Sequence, residues 1–305
     1  METAYERADG SIEANVMSIG ILYESDEWSN IQLRDMIRKK GVACHLFFME
    51  NIDNPGKFPC KLYVNRVFPS SRMRHHHYSI RNTLSFLAEI DTLKMTVINS
   101  LEAFRFDCSK DRYYNILAQN GIRIPHWLTI ESNDVSNHDQ NRTQFPAIIK
   151  PDCGGRSYQA EFVRSYQEIE ECLSKQKASK WIIQDFIEPM SGFTTRVEIV
   201  GGTIIAVLKR YVGHQEISSY SRNSRYEEYP SCSEHLLEAS LRILEILNIE
   251  MGGIDFIEGK DGHYYLIDVN STSNFSEDLI PLYGFDPIEK MADYIVSKYR
   301  NVTSI

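Results

Sequence analysis

The sequence predicts a mixed α/β (α+β) protein in which a small parallel sheet is followed by two antiparallel hairpins. Three observations predict it. Short apolar runs separated by helical or Pro/Gly-punctuated segments fill the first third of the chain. Gly201-Gly202 and Asp261-Gly262 each sit between two strand-like runs, where tight hairpins need positive φ angles. The last helix carries Ile288, Met291, Ala292, Ile295, Val296 and Tyr299 at the i, i+3, i+4, i+7 spacing of one apolar face.

Residues 1–15 are polar and acidic and read as a flexible leader, with neither the apolar stretch of a secretory signal nor the arginines of a transit peptide. Residues 16–99 form the first unit. Val16 to Tyr23 is a buried strand, Leu33, Met36 and Ile37 mark a helix that Gly41 ends, and Val42 to Met49, Lys61 to Phe68 and Lys94 to Asn99 supply further strands. Residues 100–186 begin with one or two helices, closed by Gly121 and Pro125 and followed by an extended exit. Phe145 to Pro151 and Ser179 to Phe186 are strands, with a helix from about Ser165 to Gln176 between them. Residues 187–305 hold the two hairpins, a helix around Leu236 to Leu247 with a wide apolar face, and the last helix. Val212 to Ser233 is a polar connection of unusual length, the kind that is commonly functional.

Composition excludes several classes. The longest apolar runs fall far short of the roughly 20 residues of a membrane-spanning helix. A net charge of -9, from 33 basic and 42 acidic residues, disfavours unspecific nucleic-acid binding, which needs surplus Lys and Arg. Six cysteines without a C-x-x-C pair fit reduced thiols and a cytoplasmic protein. His75, His76 and His77 are adjacent, cannot share a helical face, and read as a solvated loop.

Two constellations carry chemistry. Lys150 ends a strand and is followed by Gly154, Gly155 and Ser157, which puts a cation beside flexible backbone N–H donors suited to phosphate. An ordinary turn is the bland alternative, but Lys110 at a helix start and Arg210 at a strand end allow three elements to bring cations to one polyphosphate. The second constellation is Asp255 with Asp268 and Asn270 on the late hairpin. Two carboxylates and an amide suit Mg²⁺ in type and number, and aspartates among Ile254, Phe256, Leu266, Ile267 and Val269, all expected in the core, need compensation for their burial.

The order of these motifs, Lys110, then IIKPDCGGRS, WIIQDFIEP, TTRVEIVGGTIIAVLKR, GGIDF and LIDVN, resembles the ATP-grasp ligases from about Ser100 to Tyr299. Within them the chain is most similar to the RimK-type glutamate ligases and LysX-type amino-group ligases, and LYVNRV and VINSLEA extend the resemblance into the first unit. The resemblance implies an ATP-grasp fold, with a pre-ATP-grasp domain, a central lid subdomain and a C-terminal subdomain bearing the metal site, and it implies ATP with Mg²⁺, or Mn²⁺ in its place.

Residue by residue, it implies that Lys110 and Lys150 contact phosphates and that the loop Gly154, Gly155 to Ser157 closes over them. Gln184, Asp185, Phe186 and Ile187 would form the hinge whose backbone meets adenine, and Glu188 would contact ribose where the family's acidic residue is replaced by Thr194. Asp255, Asp268 and Asn270 would hold the metal, Arg210 would stabilise the transferred phosphoryl group, and Arg196 would orient the carboxylate substrate. Asn223 and Arg225 would lie at the acceptor end. The family's metal-binding Glu is Asp268 here, and STSNFSED replaces a Pro-Gly turn after Asn270.

The implied reaction joins a carboxylate to an amine through an acyl-phosphate and releases ADP. Its substrates would be small amino acids or peptides, or a carrier protein, and the chain would form a homo-oligomer that binds neither nucleic acid nor membrane. An ATP-grasp kinase and a catalytically silent nucleotide-binding regulator are the alternatives.

Overall fold

The computed structural model describes residues 17–52, 60–131, 143–155, 159–175, 178–211, 225–273, 275 and 277–303. The expected leader, Ser157 and Asn223 lie outside them.

The first layer comprises β1 (Ser18–Tyr23), α1 (Trp28–Lys39), β2 (Ala43–Phe48), β3 (Leu62–Asn65), α2 (Ser79–Thr92) and β4 (Thr96–Ile98). Its strands pair in parallel in the order β2-β1-β3-β4. A parallel sheet covered on both faces explains why SIGILY is continuously apolar. Ile19, Ile21, Leu62 and Val64 face one core, while Leu22 and Tyr63 face another lined by Phe86, Leu87 and Phe104. Gly20 is required by packing: a Cβ there would stand 2.7 Å from the Phe47 ring and 2.8 Å from that of Tyr63.

Two capped helices follow, α3 (Leu101–Asp107) with Ser100 accepting from the Ala103 amide, and α4 (Lys110–Gln119) with Ser109 accepting from that of Arg112. The extended exit expected after them is strand β5 (Trp127–Glu131). It joins β6 (Ala147–Pro151), β7 (Glu161–Val163) and β8 (Lys180–Asp185) in an antiparallel sheet of order β5-β8-β6-β7, backed by α5 (Tyr166–Lys175). Its core, with the fully buried Trp181 at its centre, is separate from the others.

The third sheet has the order β11-β10-β9-β12-β13, from β9 (Phe193–Val200), β10 (Thr203–Tyr211), β11 (Tyr226–Glu228), β12 (Met251–Glu258) and β13 (Tyr264–Asn270). Gly201 and Gly202 take φ of 58° and 74° in one hairpin, and Gly262 takes 75° in the other. Strand β11 falls inside the connection expected to be loop throughout; pairing with β10 satisfies its backbone despite a polar sequence. Alternation splits this sheet into two faces. Val197, Ile199, Ile254, Phe256, Leu266 and Val269 pack on α3, α4 and α6 (Glu234–Ile246). Ile267, expected in the core with them, is only half-buried because it is the extra residue where the β12–β13 register shifts between the Asp255–Asp268 and Phe256–Leu266 pairs. After the short α7 (Ile280–Tyr283), α8 (Pro287–Thr303) lays its apolar face on the first sheet beside α1.

Candidate functional site

The second face of the third sheet carries the polar constellation. Asp255 is the register partner of Arg196 on β9 and of Asp268 on β13, so the three side chains form one row across three strands. The adjoining row is Glu198, Gly253 and Asn270. Thr194 and Arg210, partners across β9 and β10, extend the same face. Arg196 donates from Nε to Glu198 Oε1 at 2.8 Å and from Nη1 to Asp255 Oδ2 at 3.0 Å. Arg210 Nη2 stands 2.7 Å from Asp255 Oδ1 without making a hydrogen bond to it, so this buried oxygen is ion-paired but retains unfilled acceptor capacity. Arg210 Nε also donates to Thr194 Oγ1 at 3.3 Å.

Both lysines reach this face from other elements. Lys110, at the first turn of α4, lies 3.6 Å from Asp268 Oδ1 and donates to the Gly154 carbonyl at 2.7 Å. Lys150 Nζ, from β6, donates at 3.0 Å to the Ile267 carbonyl, to Gln184 Oε1 and to the Tyr114 hydroxyl. Tyr113 donates to Asp268 Oδ1 at 2.8 Å and Tyr114 to the Ile267 carbonyl at 2.7 Å, so α4 clamps β13 at the carboxylate.

The turn after Lys150 is tied to the start of α4. Asp152 accepts from Ser109 Oγ at 2.9 Å and from the Asp111 amide at 2.8 Å, and its carbonyl accepts from the Lys110 amide. Gly154 is thereby held beside Lys110. Among the described residues a Cβ on Gly155 would meet only Ser70 Cβ at 4.0 Å, and its φ is not in the left-handed region, so none of their contacts requires glycine there. Such an open position suits a close-approaching ligand.

In the segment expected to meet adenine, the amides of Asp185 and Phe186 donate to the His126 and Pro146 carbonyls, whereas those of Ile187 and Glu188 have no acceptor among the described residues. Phe186 packs edge-on against Phe162, with centroids 4.9 Å apart. Gln184 Nε2 is buried with no hydrogen-bond partner among the described residues. Glu188 is exposed and pairs with Lys260 at 2.8 Å. Arg225, exposed as well, pairs with Glu227 at 3.0 Å and stacks on Tyr211, which leaves it outside the cluster.

Burial pushes the Asp268 carboxyl up, but Lys110, Lys150, Tyr113 and Arg196 more than offset this and hold it below the usual carboxylate range. Burial brings Lys150 down to about 8 despite the pull of Asp268. Burial also pulls Lys110 down, and Asp268 and Asp107 reverse that, leaving it raised. Asp107, buried beneath Ser271, is pushed up to about 6 by burial.

Four cations, Lys110, Lys150, Arg196 and Arg210, thus gather around three carboxylates, Asp255, Asp268 and Glu198, which leaves a small positive surplus at this site. A polyanion fits the surplus. The residues present fit a metal in kind: no group of three or more His, Cys, Asp or Glu is placed among the described residues to cage an ion alone, but Asp255 Oδ1 is an unfilled acceptor in the same row as Asp268. A site of two carboxylates and an amide, completed by substrate phosphates, suits Mg²⁺. Among the described residues His75 to His77 have no such partners, and no helix is long and apolar enough to cross a membrane.

Sequence reasoning singled out neither Tyr113, Tyr114, Asp152, Glu198 nor Arg66. Tyr113 and Tyr114 had a legible signal, since they follow Lys110 at the i+3 and i+4 positions of one helical face. Glu198 had one too, lying two residues from Arg196 on a strand. Arg66 and Asp152 act through tertiary contacts that no local pattern announces.

Comparison with known proteins accords with this geometry. A family model for the RimK-like ATP-grasp domain matches residues 108–295. The D-alanine–D-alanine ligase of Aquifex aeolicus is 28% identical over 76% of this chain and 81% of its own length. The coenzyme γ-F420-2:α-L-glutamate ligase of Methanocaldococcus jannaschii is 24% identical over 80% of this chain and 85% of its own. The crystal structure of a RimK domain ATP-grasp protein from Sphaerobacter thermophilus superposes with a TM-score of 0.69 at 14% identity, covering 92% of this chain and 99% of that one, a likeness of fold. The matched span takes in both lysines, the glycine turn and the whole polar hairpin face, and the chain belongs to the RimK-like ATP-grasp family, whose class of chemistry is the ATP-dependent joining of a carboxylate to an amine.

Proposed function

We propose that the chain activates the carboxylate of an amino acid or peptide as an acyl-phosphate and passes it to an amine, releasing ADP and phosphate. The observation that carries this reading is the convergence of Lys110, Lys150 and the Asp255–Asp268 row at one site, although they come from three separate segments. The names of the relatives, a D-alanine and an α-L-glutamate ligase, support small amino acids or short peptides as substrates, and a carrier-protein acceptor belongs to the same chemistry. The division into 16–99, 100–186 and 187–305 is part of this reading, and one sheet falls in each segment. Six free cysteines support a reducing, cytoplasmic setting.

In this reading Lys110, Lys150 and Arg210 hold the phosphates and spread the charge that grows on the transferred group. Asp255, Asp268 and Asn270 would hold Mg²⁺, for which Mn²⁺ substitutes, and the bound ion would screen the β- and γ-phosphates. A carboxylate oxygen attacks the γ-phosphorus, ADP leaves with the electrons of the broken P–O bond, and the amine then displaces phosphate from the acyl carbon. The lid sheet and its glycine turn exclude water, which would otherwise hydrolyse the mixed anhydride.

The test is a panel of amino acids and dipeptides in pairs with ATP, scored for nucleotide product and for product mass. ADP formed only when carboxylate and amine are both present, with a product lighter than their sum by one water, is expected. Release of AMP, a stable phosphorylated product, or ATP binding without turnover across the panel would contradict it.

A further inference from the structure

A line of buried polar contacts runs from the first sheet to the hairpin face. Arg66, just after β3 and 1% exposed, donates from Nη1 to the Ser273 carbonyl at 2.5 Å, from Nε to Asn30 Oδ1 at 3.1 Å and from Nη2 to Ser29 Oγ at 3.1 Å. Ser273 Oγ donates to Glu198 Oε2 in a short hydrogen bond. Glu198 Oε1 accepts from Arg196 Nε at 2.8 Å, and Arg196 Nη1 reaches Asp255. Ser273 and Glu198 are each 4% exposed.

The floor beneath this line is built for it. A Cβ on Gly253 would stand 2.1 Å from Arg196 Nη2 and 2.3 Å from its Cζ, so the guanidinium lies directly over that glycine. The motif GGIDF therefore has a steric reason beside the aspartate. Charge gives Glu198 a second consequence. Four cations, Lys110, Lys150, Arg196 and Arg210, border the Asp255–Asp268 row, and Glu198 is the third carboxylate in contact with them. Without its charge the surroundings of Asp255 become more positive, which opposes a divalent cation and favours an anion.

We propose that Glu198 is a positioning residue for metal binding: it holds Arg196 across Gly253 and balances its charge so that Asp255 can serve Mg²⁺ with both arginines beside it, while Arg66 fixes Glu198 through Ser273. The inference rests on the reading that Asp255 and Asp268 hold the metal.

Calorimetric titration of ADP, with Mg²⁺ varied and in its absence, tests it on the full chain. Glu198→Gln keeps the shape and the hydrogen-bonding oxygen but removes the charge. It is expected to raise the Mg²⁺ concentration for half-maximal ADP binding roughly tenfold, while metal-free ADP binding stays equal or tightens. A residue that merely supported the fold would weaken both together, and that result, or an unchanged Mg²⁺ dependence, overturns the proposal. Should Glu198→Gln fail to fold, Ser273→Ala, which frees Glu198 from one side, is expected to raise the same concentration roughly threefold, and no change overturns the proposal. If the wild-type chain itself binds ADP without regard to Mg²⁺, it is the site reading that fails.

Discussion

Lys150 Nζ lies 3.0 Å from the carbonyl oxygen of Ile267, the residue before Asp268. A lysine of the second sheet thus touches the backbone of the hairpin that carries the carboxylates, which brings the two constellations together. In the proposed reading the cations of one and the acceptors of the other meet the same polyphosphate.

Replacing Lys150 by Met should weaken ADP binding roughly ten- to hundredfold, the worth of about 1.5–3 kcal/mol for a hydrogen bond to a charged group. The variant should remain folded, and calorimetry against the wild type reads the difference.

The lowered pKa of Lys150, brought to about 8 by burial, gives a pH test. Below that value the amine is charged; above it the cation is lost, so affinity for metal-free ADP should fall between pH 7 and 9. Lys150→Arg, which keeps its charge throughout, should flatten that fall. The same shift acts on the stability of the ligand-free chain: between about 8 and the ordinary lysine value of 10.5 the unfolded state binds more protons, so stability should rise with pH there.

Asp268→Asn keeps the side-chain shape and an acceptor oxygen for Tyr113 but removes the charge facing Lys110. ADP formation should fall at least about a hundredfold. A stability loss of about 1–3 kcal/mol is expected from the buried lysine left without its counter-charge, small enough that circular dichroism should still show the folded chain.

Gly253→Ala places a methyl group where the Arg196 guanidinium lies. Overpacking should cost about 1–3 kcal/mol in chemical denaturation, and turnover should drop more than ADP affinity does, because neither lysine is disturbed.

Asp152→Ala removes the acceptor that ties the glycine turn to Ser109 and the Asp111 amide. The turn should loosen from Lys110, and ADP affinity should fall roughly tenfold, the worth of one or two hydrogen bonds of this kind.

Much of the fold was legible because its signals are local. Continuous apolar runs marked the doubly covered parallel sheet, and the glycine-bearing dipeptides marked both hairpins. Strand β5 was expected only as an extended exit, since its strand character comes from pairing with β8, and β11 escaped because YEE has little apolar alternation and exists through pairing with β10. Lys110 and Lys150 were legible as cations at element ends, and Asp255 and Asp268 as aspartates within the apolar runs of one hairpin. The clamping tyrosines and Glu198 needed face-by-face reading, and the reach of Arg66 to Ser273 depends on how the first sheet meets the third, which no sequence period encodes.

Diffraction from crystals grown with ADP and Mn²⁺, using the anomalous signal of the metal, tests the central claim most directly. The account predicts one nucleotide at this site, with Lys110 and Lys150 on its phosphates and Mn²⁺ between those phosphates and the carboxylates of Asp255 and Asp268. Nucleotide or metal bound elsewhere, with these four side chains keeping only their protein partners, would contradict it.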